Sequence, residues 1–106
     1  MVDTPLVKNA KLESAIVRDI MTYLKTRPNS FTVKTHGSVY QNSGVPDVYH
    51  LEQGVSFWIE VKRPKLGRLT ELQKATIDRL NAAGACAFVA RSVDEVRHVI
   101  EFRFSR

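Results

Sequence analysis

Three ionisable residues stand where apolar strands would ordinarily have none. In GVPDVYHLEQGVSFWIEVKRP, Gly44 to Pro64, Asp47 and Glu60 fall inside two alternating apolar runs, and Lys62 follows Glu60 by two residues. Carboxylates are depleted in strands and costly in a core, so something must compensate them. The runs DVYHLE and VSFWIEVK are joined by Gln53-Gly54, a hairpin signal. A two-residue turn there sets Glu52 opposite Val55, His50 opposite Phe57 and Val48 opposite Ile59 on a core-facing side. The other side then pairs Tyr49 with Trp58 and Asp47 with Glu60. Opposed Cβ atoms lie about 4.5–5.5 Å apart, and two carboxylates that close repel unless a cation sits between them. Lys62 shares the Glu60 face because strand side chains alternate with period two.

Together the three residues fit a divalent-cation site with an ammonium beside it. Hard oxygen ligands select Mg2+ or Mn2+ over softer metals. Such an ion polarises a phosphoryl oxygen and activates water, while a lysine orients that water or neutralises developing charge. That arrangement suits phosphodiester hydrolysis. The competing reading is a surface hairpin with a Lys–Glu pair of little energetic worth. Many exposed strands carry ExK, and it is Asp47 in register that gives the pattern weight.

The elements that must position these residues follow from periodicity. Leu12 to Lys25 is helical, with Leu12, Tyr23, Ile16, Ile20, Glu13, Leu24 and Val17 on one face at about 100° per residue. Glu13 therefore lies inside an apolar stripe, either as a ligand or as a first-turn acid favoured by the helix macrodipole. A short strand, Phe31 to His36, precedes the hairpin. The helix TELQKATIDRLNAA places Gln73 on a face with Leu72, Thr76, Ile77, Leu80 and Ala83. Thr70 and Gln73 also match a capping box, in which Gln73 would only reach back to the Thr70 amide. Both readings stand on the sequence alone. ACAFVA, Ala85 to Ala90, is a continuous apolar run expected of a strand buried on both faces. Ser92 and Glu95 match a second capping box, opening a last helix, VDEVRHVIEF. The order αβββαβα contains a strand–helix–strand crossover, which predicts one parallel pair in a mixed sheet.

With these residues placed, the sequence resembles the PD-(D/E)xK, or restriction-endonuclease-like, nuclease superfamily, and within it a stand-alone VRR-NUC domain. The stretch that carries the resemblance runs from Lys34 to Gln73, with GVPD, IEVKRP and LTELQ as its marks, and Glu13 precedes it. The resemblance implies an α/β fold with an αβββαβ core, a mixed central sheet flanked by helices, in one domain spanning residues 1–106. It implies that Asp47 and Glu60 bind the metal together with the Val61 carbonyl, that Glu13 reaches the metal from the helix, and that Lys62 is catalytic. Gln73 would support the lysine or the scissile phosphate. The implied activity is that of a Mg2+- or Mn2+-dependent structure-specific DNA endonuclease, foremost a Holliday-junction resolvase acting as a homodimer on four-way junctions. The alternatives are a flap or general nicking nuclease, and a non-catalytic branched-DNA-binding module of the same fold.

Composition agrees with a nucleic-acid partner. The chain has 106 residues, 43% hydrophobic and 25% charged, ordinary for one globular domain, with a net charge of +5 that favours an anionic ligand. Phosphate contacts are expected near the site from Lys34, His36, Arg63, Lys65 and Arg68, although His36 reads equally well as a strand-end histidine with no task. Lys25, Arg27, Arg91, Arg97, Arg103 and Arg106 read as scattered solvent charges. Trp58 is placed to shield the site or to build a dimer contact. The single cysteine, Cys86, excludes an internal disulfide and a cysteine zinc cluster. No signal-peptide pattern or membrane-spanning run appears, so a cytoplasmic location in a prokaryotic or phage-infected cell is expected. No P-loop is present, which speaks against a nucleotide cofactor.

Overall fold

A computed structural model describes residues 11–35 and 44–105. His36, expected both as the end of a strand and as a phosphate contact, lies outside the described residues, as does Arg106. The elements are α1 (Glu13–Leu24), β1 (Ser30–Lys34), β2 (Val48–Glu52), β3 (Val55–Val61), α2 (Glu71–Ala82), β4 (Cys86–Ala90) and α3 (Val93–Phe104). The four strands form one sheet in the order β1-β2-β3-β4. The first two pairings are antiparallel, and β3 pairs with β4 in parallel across the α2 crossover. The expected mixed α/β sheet with flanking helices is therefore present.

The hairpin register is the predicted one. Val48 faces Ile59, Tyr49 faces Trp58, His50 faces Phe57 and Glu52 faces Val55. Gln53 and Gly54 both adopt positive φ, 49° and 78°. That is the backbone a two-residue turn of the primed type demands, and its twist matches that of the strands. The turn thus dictates which residues share a face all the way to the far end of the ribbon.

One sheet face carries the core. Ile16, Ile20 and Leu24 of α1 and Val96 and Ile100 of α3 pack on Val48, Phe57, Ile59, Val61 and Ala90. Phe104 closes the layer edge-on against Phe57, with ring centroids 5.9 Å apart. Burying each of these larger side chains contributes about 1.5–3 kcal/mol. The opposite face is thinly covered. Helix α2 has no buried residue, and Phe31, Val33 and Leu51 are exposed.

Several expectations change. Leu12 and Leu72, predicted on apolar faces, are 60% and 51% exposed. Leu12 is the N-cap of α1 and Leu72 lies in the first turn of α2, so both stand at helix starts. The β4 run is half-buried rather than sealed on both faces, because β4 is the edge of the described sheet and gains a neighbour on one side only. Ser92 caps α3 by accepting the Glu95 N–H, but the Glu95 carboxylate takes the Arg91 N–H at 2.8 Å instead of closing the box on Ser92. Three arginines read as free solvent charges are engaged. Arg97 lies 4.9 Å from the Tyr23 ring centroid, and Arg27 and Arg91 each hold part of the fold together.

Arg27 completes a polar chain inside the core. Its guanidinium donates to both carboxylate oxygens of Glu52, and Glu52 is only 2% exposed. His50 Nε2 lies 2.9 Å from Glu52 Oε1, and Thr32 Oγ1 lies 2.7 Å from His50 Nδ1. Burial alone would raise the Glu52 carboxyl. The hydrogen bonds from Arg27 and His50 outweigh it and hold the group below the usual carboxylate range.

Candidate active site

The carboxylate pair arises one step beyond the hairpin ladder. Val48 and Ile59 are the last formal partners of β2 and β3, so Asp47 and Glu60 come next on the opposite face. Asp47 Oδ2 accepts the Val61 N–H at 2.8 Å. The side chain thereby takes the place of a ladder carbonyl and is fixed in orientation by the sheet itself. On its other side the Asp47 carbonyl accepts the Thr35 N–H at 2.9 Å, which ties the start of β2 to the end of β1.

Glu60 is 3% exposed and Lys62 is 9% exposed. Lys62 Nζ stands 3.7 Å from Glu60 Oε2. The Glu60 carboxyl is pushed up to about 8, first by burial and then by the charge and hydrogen bond of Asp47, with Glu13 adding and Lys62 opposing. Burial and the neighbouring Asp47 charge both disfavour an ionised Glu60, and a cation placed there would relieve both.

Gln73 closes the capping box, and the same amide also reaches Glu60 rather than the expected Lys62. Its Oε1 accepts the Thr70 N–H at 2.9 Å while the Thr70 hydroxyl accepts the Gln73 N–H at 3.0 Å, a complete capping box. Its Nε2 donates to Glu60 Oε2 at 3.2 Å. The cap fixes which end of the amide is oxygen, and so aims the NH2 group at Glu60.

Glu13 is more distant. It lines a cleft of about 290 Å3 with Ser14, Val17, Lys34 and Asp47, and its charge is felt at Glu60. Among the described residues no three carboxylate, imidazole or thiol groups converge as a metal cluster. The acidic core of the site is thus the Asp47–Glu60 pair, with Glu13 at the rim. Lys34, an expected phosphate contact, opens onto the same cleft.

The basic segment after Lys62 is a folded loop. Arg91 Nη1 donates to the Arg63 carbonyl at 2.6 Å and to the Gly67 carbonyl at 3.0 Å. Gly67 donates back to the Arg63 carbonyl at 3.1 Å. A Cβ at Gly67 would stand 2.7 Å from the Arg63 nitrogen and 2.8 Å from Lys62 Cβ, so only glycine lets the loop close this tightly on the lysine. Lys65 and Arg68 are exposed, and Arg63 is half-buried. The Arg68 guanidinium folds back on the Lys65 and Gly67 carbonyls. Trp58 packs against Tyr49, centroids 4.6 Å apart.

Arg91 and the Thr32–His50–Glu52–Arg27 chain were not singled out in the sequence. Only the buried chain had a signal in the sequence, since the place of Arg91 depends on the β3–β4 register. Parallel pairing of Val61 with Ala90 brings the residue after β4 beside the residue after β3. His50 and Glu52 alternate onto the core face of β2, where polar groups require partners.

The family model described as VRR-NUC domain matches residues 10–94. A solved structure described as "VRR_NUC domain" is similar at 25% identity and a TM-score of 0.71, covering 87% of this chain and 97% of its own. A second, "VRR_NUC domain protein", shares the fold at 22% identity and a TM-score of 0.70, with 88% of each chain covered. No curated protein matches.

Proposed function

The chain belongs to the VRR-NUC domain family, a nuclease type of domain, and from that premise we propose that it is a Mg2+- or Mn2+-dependent DNA endonuclease whose preferred substrate is a four-way junction. The observation that carries the reading is the juxtaposition of Asp47 and Glu60, with Lys62 and Gln73 both reaching Glu60 Oε2.

The residues suit a hard divalent cation. Two carboxylates and a peptide carbonyl are all oxygen donors, and the raised Glu60 carboxyl marks a place where positive charge is wanted. Mg2+ commonly uses one or two protein carboxylates and completes its shell with water and substrate phosphate. Asp47, Glu60 and the Val61 carbonyl would hold the ion, with Glu13 reaching it through water. When bound it would polarise a phosphoryl oxygen and lower the pKa of a water.

The chain's own residues supply the rest. Asp47, pinned by the Val61 N–H, orients one side of the site. Lys62 neutralises charge developing on the scissile phosphate or orients the attacking water. Gln73 keeps Glu60 turned toward the pair. Water attacks phosphorus, one strand oxygen leaves with a proton, and the backbone is nicked. Lys65, Arg68 and Lys34 hold flanking phosphates without reading sequence. A junction offers two symmetry-related strands, which suits a two-fold homodimer. The exposed Phe31, Val33 and Leu51 give a second copy an apolar face to cover.

The test is a panel of junction, flap, duplex and single-stranded DNAs with Mg2+ and with Mn2+. Asp47→Ala, Glu60→Ala and Lys62→Ala should each lose about 100-fold or more in cleavage, as groups acting as one unit do. Lys62→Ala should still bind. Ordinary cutting by Glu60→Ala would remove Glu60 from the site. Binding without cleavage by the wild type would favour the non-catalytic module. Light scattering with and without a junction tests the dimer.

A further inference from the structure

We propose that the groove between α1 and β1 is a second track for a DNA phosphate backbone, continuous with the carboxylate site. The inference rests on the nuclease reading and extends it to residues outside the site described above. The groove has a volume of about 610 Å3 and shares Ser14 and Lys34 with the cleft that reaches Asp47. Among the described residues its lining holds Arg18, Lys25 and Lys34 and no carboxylate.

Arg18 acts on the neighbouring Asp19 through its charge alone. Lys11, Arg27, Lys62, Lys74 and Arg97 have carboxylate partners. Among the described residues none of the ion pairs includes Arg18, Lys25 or Lys34. Asp19, next to Arg18 on the helix, is held by Lys11 at 2.6 Å, and Glu13 lines the adjoining cleft. Ser14, Arg18 and Lys25 follow one another at spacings of four and seven, which makes one stripe along α1. Arg18 and Lys25 are separated by about 10.5 Å along the axis, at 1.5 Å per residue. Phosphates of one duplex strand repeat about every 3.4 Å along its axis, so the stripe spans about three of them.

The sheet order sets this track opposite the basic loop. Lys34 ends β1, Asp47 leads into β2, Glu60 lies on β3, and the loop at residues 63–68 leaves β3 toward Arg91 beyond β4. Neighbouring strands are about 4.8 Å apart. Cations therefore flank the carboxylate pair on both sides across the strand ends. A backbone lying across those ends would meet the loop, then the site, then the α1–β1 groove. A merely solvated helix face would carry mixed charges and would not run into the cleft.

The measurement is binding of a labelled four-way junction in chelator between 50 and 200 mM salt, for the wild type and for Arg18→Ala/Lys25→Ala. Losing two phosphate contacts should flatten the log–log salt slope by about 1.8, so that the variant loses about tenfold less affinity than the wild type over this range. Arg18→Lys should keep the wild-type slope. Both side chains are exposed; if the double alanine variant nevertheless melts early, Arg18→Gln/Lys25→Gln keeps most of the stems and is read for the same slope. Truncating the DNA on the groove side should weaken the wild type and leave the variant's affinity unmoved. An unchanged slope in a folded variant, or no DNA binding by the wild type, overturns the proposal. Chelator separates this result from catalysis: a wild type that binds along the groove but never cuts would sink the nuclease reading and keep the track, whereas a cutting enzyme with an unmoved slope would do the reverse.

Discussion

Gln73 Nε2 donates to Glu60 Oε2 at 3.2 Å while the oxygen of the same amide accepts the Thr70 N–H. One side chain therefore joins the start of a helix to the most buried carboxyl of the site. The orientation of the amide is a matter of helix capping, and its consequence is electrostatic.

The two roles separate by substitution. Gln73→Glu keeps an acceptor for the Thr70 N–H but turns a carboxylate toward Glu60. Its cost to the metal-free protein should grow from pH 6 to pH 9 as both groups seek to ionise. Thr70→Ala removes a cap, with a cost of about 1 kcal/mol that is flat in pH. Thermal melting of both variants in chelator at the two pH values decides it. Equal, pH-independent losses would mean that Gln73 is only a cap.

The raised Glu60 carboxyl makes metal-free stability depend on pH. The folded protein holds this proton up to about 8, whereas the unfolded chain releases it near 4.5. Between those values the native state binds more protons than the unfolded one, so this contribution to stability is full below about 4.5 and lost as pH rises through 8. Glu60→Gln should flatten that decline, and Asp47→Asn should reduce it by removing the opposing charge. Urea unfolding in chelator from pH 5 to 9 reads both. A wild type whose stability is level across this window would contradict the buried, charge-opposed pair.

The buried chain under the sheet gives a separate stability test. Arg27→Ala leaves Glu52 with His50 but without its cation, and breaking a buried pair from one side typically costs about 3–5 kcal/mol. Arg27 is 23% exposed, which puts the expected loss near the lower end, about 3 kcal/mol. Adding Glu52→Gln should recover part of it. A double-mutant cycle by chemical denaturation measures the coupling, and strictly additive losses would remove the pair from the list of stabilising contacts.

The site was legible where local rules decide geometry. Alternation and a Gln-Gly turn fix which hairpin residues share a face, so Asp47 and Glu60 could be paired without coordinates. Periodicity placed Glu13 and Gln73 on the inner sides of their helices but could not give their reach; Gln73 meets Glu60, while Glu13 stays at the rim of the cleft. Arg91 was unreadable as a fastener of the basic loop because its role depends on the parallel β3–β4 register, a long-range choice. The β4 run misled for a related reason: an apolar run does not reveal whether a strand has one neighbour or two. Arg27 looked like a solvent charge because its partner lies 25 residues away on another element.

The tight turn at Gln53-Gly54 has a further bearing, on what lengths of chain the protein can tolerate. Asp47 lies six residues before the turn, about 20 Å at the rise of an antiparallel strand. Exchanging residues within the turn alters only how easily positive φ is reached. An added residue that is not absorbed by a longer loop or a bulge shifts the register and sends Asp47 to the other face from Glu60. A single inserted codon at that solvent-exposed tip that shifts the register would thus separate the proposed carboxylate pair while both residues stayed in the gene. The hairpin acts as a ruler, and mutational tolerance at its tip is bounded by length rather than by chemistry.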